Sequence, residues 1–232
     1  MQTRLLAILA ALAAAIALFA GCSSKSQDSS KALPDAATLL KESSETTKSQ
    51  SSVHLKLAVQ GTIQDLPIET LEGDLTNKPA VAAQGTANIL FLGQRLEGVD
   101  FVVADGNLFG AITKGSFQDF GPAADIYDVS ALLNPDAGLG NILANFIDPK
   151  ADGRENITGV DTVRVTGTVS ADAVNKIAPQ IKATGPVPGT AWIREDGNHE
   201  LAQVKLETSP GNSITMTCTD WGKSVTVTKP AA

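Results

Sequence analysis

The sequence is poor in the residues that usually carry chemistry. It holds 2 histidines, 2 cysteines, 2 methionines, 2 tryptophans and 1 tyrosine in 232 residues, and aromatics make up 4%. His54 and His199 are far apart, no H-x-x-x-H pair exists and no Cys-x-x-Cys spacing is present, so no transition-metal site is expected. No G-x-S-x-G marks a nucleophile elbow. Gly138-Leu139-Gly140 lacks the third glycine of a dinucleotide fingerprint, and no Walker loop occurs. Asp125 and Asp128 flank Tyr127, but two acids in a turn read as solvated or capping residues. General acid–base work needs positioned titratable groups, so a non-enzyme without a cofactor is expected. Basic clusters are lacking too. With 18 Lys and Arg against 25 Asp and Glu, the net charge is -7. Such a chain is a poor nucleic-acid binder and does not adhere to anionic lipid surfaces by charge alone.

What is present begins at the N-terminus. Arg4 precedes an apolar run from Leu5 to Ala20, which ends on Phe19-Ala20-Gly21-Cys22 before a polar, Ser-rich stretch. A positive start, a short apolar core and small residues at the exit make residues 1–21 a secretory signal peptide. The run is shorter than the ~20 residues that span a bilayer. The exit resembles a bacterial lipobox, which makes Cys22 the acylated N-terminus of the mature chain, anchored to the plasma membrane. Residues 22–33 then read as a lipidated tether and residues 34–232 as one domain. Removing the 21 leader residues leaves 211 of 232, and losing Arg4 moves the charge from -7 to -8. With Cys22 committed to lipid, Cys218 has no partner for a disulfide. It sits in the alternating run Ile214, Met216, Cys218 and is read as a small core hydrophobe.

The rest of the chain is mostly strand. Pro34–Ser49 has a helical pattern, with Ala36, Leu39, Leu40, Ser43 and Thr47 on one narrow face. Val53, Leu55, Leu57 and Val59 alternate with polar neighbours, and the pattern continues over 68–76, 81–92, 96–104 and 107–113, with Asp105-Gly106 as a hairpin turn. Residues 130–149 read as helical: Leu139, Ile142, Leu143 and Phe146 recur at i, i+3, i+4 and i+7, Asp136 caps the start and Pro149 stops the run. Gly138 and Gly140 there suggest close backbone packing or a bend. Strands return around Val163, Val165 and Val169. A short helix after Ser170 ends at Pro179, and a final meander covers 187–195, 199–208, 213–221 and 224–228. About ten or eleven strands interrupted by a helical insert make an α+β fold with a mainly antiparallel sheet. A sheet that long twists and curls, leaving helices against its concave side.

Two stretches, Ile89–Leu92 and Phe101–Ala104, are continuously apolar. Such strands are buried on both faces or line an apolar interior, and periodicity alone favours a thick core over a cavity.

Several strings carry a resemblance: GDLTNKP (73–79), DFGPAADIYD (119–128), LNPDAGLGNILANF (133–146), VNKIAP (174–179), VPGTAWI (187–193), HELAQV (199–204) and WGKSVTVTKP (221–230). Together they resemble the LprG-type mycobacterial lipoproteins of the LppX/LprA/LprF/LprG family. The resemblance implies a curved antiparallel half-barrel with helices on its concave face around an apolar cavity. It further implies a ligand set of triacylated phosphatidylinositol mannosides, lipoarabinomannan-type lipoglycans and triacylglycerol, carried across the periplasm toward the outer layer. The implied location is the outer side of the plasma membrane, facing periplasm or cell wall, or in part secreted. A membrane efflux transporter and host Toll-like receptors are the implied partners. No catalytic residue is carried over.

On that reading the cavity lies between the helix carrying Leu139, Leu143 and Phe146 and the inner strand faces. Candidate wall residues on the strands are Leu57 and Val59, Leu71 and Leu75, Ala87 and Ile89, and Phe101 and Val103, with Ile126 in the insert. The rival is a docking or scaffold lipoprotein with a solid core, favoured if no pocket exceeds roughly 300 Å³.

Overall fold

Eleven strands form a single antiparallel sheet in the order β6-β5-β4-β3-β2-β1-β11-β10-β9-β8-β7. The computed structural model describes residues 31–232, so the segment expected to be a leader, Cys22 and most of the expected tether lie outside the described residues. The strands are β1 (Ser52–Gln60), β2 (Ile68–Thr76), β3 (Ala82–Phe91), β4 (Gln94–Ala104), β5 (Asn107–Thr113) and β6 (Ser116–Pro122), then β7 (Phe146–Ile157), β8 (Val160–Val169), β9 (Val187–Arg194), β10 (Leu201–Ser209) and β11 (Asn212–Thr219). Sequence neighbours pair within β1–β6 and within β7–β11, β1 against β11 joins the two runs, and β6 and β7 are the opposite edges of the sheet.

Register explains the layering. Val99, Ala87, Leu71, Leu57, Met216, Val204, Ala191, Val165 and Ala151 are successive cross-strand partners from β4 to β7. Directly paired residues point to the same face, so this apolar row defines an inner face nine strands wide. The next position along gives the outer face, where Lys56 pairs with Glu72 (2.9 Å) and Gln203 donates to Thr217 (2.7 Å). Val103 on β4 and Val163 on β8 belong to one core cluster. A sheet whose distant strands share a core must curl around it, giving the open half-barrel.

The helices fill the concave side. Helix α1 (Ala36–Ser49) starts at Asp35, whose carboxylate accepts from the Thr38 N–H at 2.8 Å. Pro34 thus precedes the cap rather than opening the helix. Its buried face is Ala36, Leu39, Leu40, Ser43, Ser44 and Thr47, the expected stripe plus Ser44. Helix α2 (Leu139–Ala144) lies against α1, with the Ser44 hydroxyl donating to the Gly140 carbonyl at 2.7 Å. A Cβ on Gly140 would stand 3.1 Å from the Ser44 oxygen, and one on Gly138 only 2.2 Å from the Leu132 oxygen, so both glycines permit close backbone approach. Helix α3 (Ala171–Ile177) is capped by Ser170, which accepts from the Ala173 N–H. Three short 3₁₀ segments, Ala123–Asp125, Val129–Leu133 and Pro179–Ile181, complete this layer.

Two local expectations are corrected. The helix expected to run to Pro149 ends at Ala144, and its N-cap is Gly138, not Asp136. Phe146 and Pro149 belong to β7, which ends the sheet, and an edge strand tolerates the missing proline N–H. β7 carries a bulge at Asp152-Gly153. Residues 224–228 form no strand. Both edges of β11 are already paired, so the tail cannot extend the meander beside it. It crosses the outer face instead, where Val227 covers a small second core of Val102, Ala104 and Phe109, and Lys229 reaches Asp105 at 3.2 Å.

Candidate functional site

Between the inner face of the sheet and the helical layer lies an apolar cleft. Its floor comes from Leu55 and Leu57 on β1, Leu71 and Leu75 on β2, Ala83 on β3 and Phe101 on β4, continued by Leu206, Ile214 and Met216 on β10 and β11. Its roof is Tyr127, Val129 and Leu132 from the insert and Ile177, Ala178 and Ile181 around α3. Among the 19 lining residues, only Gln180 and the Tyr127 hydroxyl are polar. That hydroxyl donates to the Ile177 carbonyl at 2.8 Å, which removes its own need for water and ties the roof together. Burial pushes the Tyr127 phenol well above its usual range.

The cleft opens at one end. Ile63, Leu66 and Ile68 line both it and an adjoining open groove of about 830 Å³, which continues over Thr70, Leu90 and Arg95. The mouth is built from the β1–β2 connection (61–67) and the Pro179–Ile181 segment. The enclosed free space is about 100 Å³. That is below the size of a ligand pocket, so an acyl chain enters only if floor and roof separate.

The sequence-derived wall residues divide. Leu57, Leu71, Leu75 and Phe101 line the cleft. Ala87 and Val103 are buried in the same inner face beside it, at 8% and 3% exposure. Val59 lines the outer groove, and Ile89 is half-buried beside Ile68. Ile126 does not contribute: it is 48% exposed, and its neighbour Tyr127 turns inward. Leu139 and Leu143 are fully packed in the core, away from the cleft lining. Leu143 and Phe146 instead line a shallow groove beside α1 with Leu40 and Ser44. The helical elements that roof the cleft are α3 and the 3₁₀ segments, not α2. Ile177 and Leu132 could have been found from the apolar positions of short segments bounded by Pro179 and Asn134, a signal too brief for periodicity.

The His54 ring is 2.7 Å from Asp74 and 3.4 Å from Glu72 on the outer face. Cys218 is buried and unpaired, and burial pushes its thiol far above the usual range. Among the described residues, no group of three His, Cys, Asp or Glu side chains is placed to hold a metal, and no helix is long and apolar enough to cross a membrane.

A single open antiparallel sheet curled over helices, with an apolar cleft between the layers, defines a half-barrel binding fold. The LppX_LprAFG lipoprotein family model matches residues 35–227. The chain belongs to this family of cell-envelope lipoproteins. It is 61% identical over 237 residues, covering 100% of both chains, to the lipoarabinomannan carrier protein LprG of Mycolicibacterium smegmatis. It is 50% identical over 227 residues to that of Mycobacterium tuberculosis strain H37Rv, covering 98% of this chain and 95% of the relative. Among solved structures, LprF from Mycobacterium bovis superposes with a TM-score of 0.78 at 30% identity, covering 86% of this chain and 99% of that one. Mycobacterium tuberculosis LppX gives 0.65 at 25%, covering 83% and 97%.

Proposed function

We propose that the chain is an envelope lipid carrier. It is anchored through acylated Cys22 on the outer side of the plasma membrane, and takes the acyl chains of triacylated glycolipids, lipoarabinomannan-type lipoglycans and triacylglycerol into the cleft for passage across the periplasm. The observation that carries this reading is the cleft lining, where 17 of 19 residues are apolar and the one hydroxyl is already bonded within the roof. Relatives named as lipoarabinomannan carriers at 50–61% identity support the lipoglycan class.

Taken alone, the cleft at about 100 Å³ favours the scaffold reading, but the adjoining groove of about 830 Å³ exceeds the roughly 300 Å³ below which that reading holds. Continuity with the groove outweighs it. A solid core has no reason to meet solvent through a shared rim of Ile63, Leu66 and Ile68. Loading is then a widening step, in which the α3 side of the roof separates from β1 and β2 as chains enter and the sugar headgroup stays in the groove. Burying one methylene contributes about 0.8 kcal/mol, so a 16-carbon chain gains roughly 13 kcal/mol at most. A bilayer offers the same. A carrier needs only to match the membrane for loading and release to be reversible.

The test is transfer of fluorescent triacylated phosphatidylinositol mannoside between donor and acceptor vesicles. Protein-dependent transfer supports the carrier. Transfer at the spontaneous rate, with lipid hydrolysis or without, sends the chain to another class.

A further inference from the structure

Among the described residues, three hairpins turn on an Xaa-Gly pair with both residues in left-handed backbone: Leu92-Gly93 (φ 50° and 78°), Asp105-Gly106 (53° and 82°) and Thr158-Gly159 (50° and 86°). Such turns favour Asn or Asp first, and a bulky apolar residue is poorly suited to that conformation. Leu92 occupies it and is 88% exposed, following Leu90 at 47% and Phe91 at 40%. Neither backbone preference nor solvation accounts for leucine there.

Position does. The register puts Asp105-Gly106 and Thr158-Gly159 at the end of the sheet shared with Ser52 and Thr76. Leu92-Gly93 lies at the opposite end, shared with Gln60 and Ile68, where the cleft opens. The polar turns stand away from the mouth and the apolar one beside it. Leu90 also lines the mouth groove, and its N–H donates to the Pro67 carbonyl at 2.7 Å, fastening the hairpin to the mouth loop.

We propose that the β3–β4 hairpin tip, Leu90-Phe91-Leu92, is a membrane-docking element that inserts into the headgroup–acyl boundary of a bilayer and brings the cleft mouth to the lipid. The proposal rests on the carrier reading. Tether length fits it: eight residues lie between Cys22 and Lys31, so nine residue steps reach roughly 30 Å at ~3.3–3.6 Å per residue. The acylated chain thus holds the domain within contact range of the surface. With a net charge of -8 after leader removal and an apolar tip, docking is to the lipid interior boundary and not to anionic headgroups.

The experiment uses the full acylated chain in phosphatidylcholine vesicles with acyl chains brominated near the carbonyl. An environment-sensitive fluorophore is placed at Gln94→Cys beside the tip, or at Thr158→Cys at the far end, with the parent chain as the Cys218 background. Each label is read with Leu92 and with Leu92→Asn, and bound lipid is extracted separately. Asn suits the left-handed position, so the variant folds at least as well. The expected result is a blue-shifted, quenched label at residue 94, set about 5–10 Å into the boundary, and none at 158. Leu92→Asn lowers the inserted-to-free ratio on the order of tenfold, with lipid cargo still extractable. Equal quenching at both sites, no quenching at 94, or a tip whose burial tracks dimer or protein-partner formation instead of vesicles overturns the docking proposal. Cargo in the absence of tip insertion leaves the carrier reading intact. A quenched tip on a chain that never holds lipid overturns the carrier reading and leaves the docking surface standing.

Discussion

Lys182 Nζ stands 2.9 Å from Asp65 Oδ2, and both residues hold left-handed backbone, at φ 49° and 63°. The pair joins the β1–β2 connection to the end of the Pro179–Ile181 segment, the two pieces of chain that carry Ile63, Leu66 and Ile181 to the cleft mouth. It is a latch on an exposed rim. Side-chain exposures of 73% and 53% keep it weak, worth about 0–1 kcal/mol. Lys182→Ala is expected to speed lipid exchange by up to about fivefold with little change in Tm. Raising salt to ~1 M, where the Debye length is about 3 Å, speeds the parent to the same rate and leaves the variant unmoved. An exchange rate in Lys182→Ala equal to the parent's at low salt removes the latch from the account.

The cleft can be filled from its floor. Leu71 is paired with Leu57 on one side and Ala87 on the other, and its side chain lines the free space. Leu71→Trp is expected to fold and to lose most of its extractable lipid. Leu143→Trp acts differently. Leu143 is 1% exposed in a close-packed contact, so overpacking costs about 1–3 kcal/mol and lowers Tm by several degrees, with lipid content per folded molecule little changed. Lipid loss in Leu143→Trp without loss in Leu71→Trp would move the site to the α1–α2 groove.

Two groups with raised pKa, the buried Cys218 thiol and the half-buried Tyr127 phenol, bear on the alkaline stability of the fold. Cys218 and Tyr127 are both shifted up from ordinary values of 9.0 and 10.0, chiefly by burial. The folded state therefore holds its protons more tightly than the unfolded one. The stability this represents is complete below about pH 9 and declines as the pH rises above the unfolded values, first for Cys218 and then for Tyr127. Denaturant midpoints should fall steadily above pH 9. Cys218→Val, which keeps an apolar core residue, should postpone the start of that fall toward pH 10. An identical profile in the variant would assign the limit to other groups.

Much of this architecture is legible in the chain. Strict alternation in Val53, Leu55, Leu57 and Val59, and the Asp105-Gly106 turn between β4 and β5, specify strands and their facing, because a period of two leaves only one side to bury. From there Leu57, Leu71, Leu75 and Phe101 follow as inner-face residues. What escaped was tertiary. The run through Leu143 to Phe146 keeps a helical period across a true break at Asn145, since short apolar runs do not separate helix from strand. Which helix roofs the cleft depends on how the insert folds back over β1 and β2, and nothing local to Leu139 or Ile177 tells them apart. The tail from Ser224 to Thr228 alternates like a strand, yet continuing the meander needs a free edge on β11, and the β1–β11 junction has taken it.

The central claim is that the cleft opens to hold acyl chains. Its most direct test is native mass spectrometry of residues 23–232, purified from a mycobacterial host that makes these glycolipids and followed by organic extraction. A stoichiometric mass increment, released as triacylated lipid and lost in Leu71→Trp, is the predicted result. A bare polypeptide mass, persisting after incubation with the glycolipid, would contradict it and leave a solid-cored envelope scaffold.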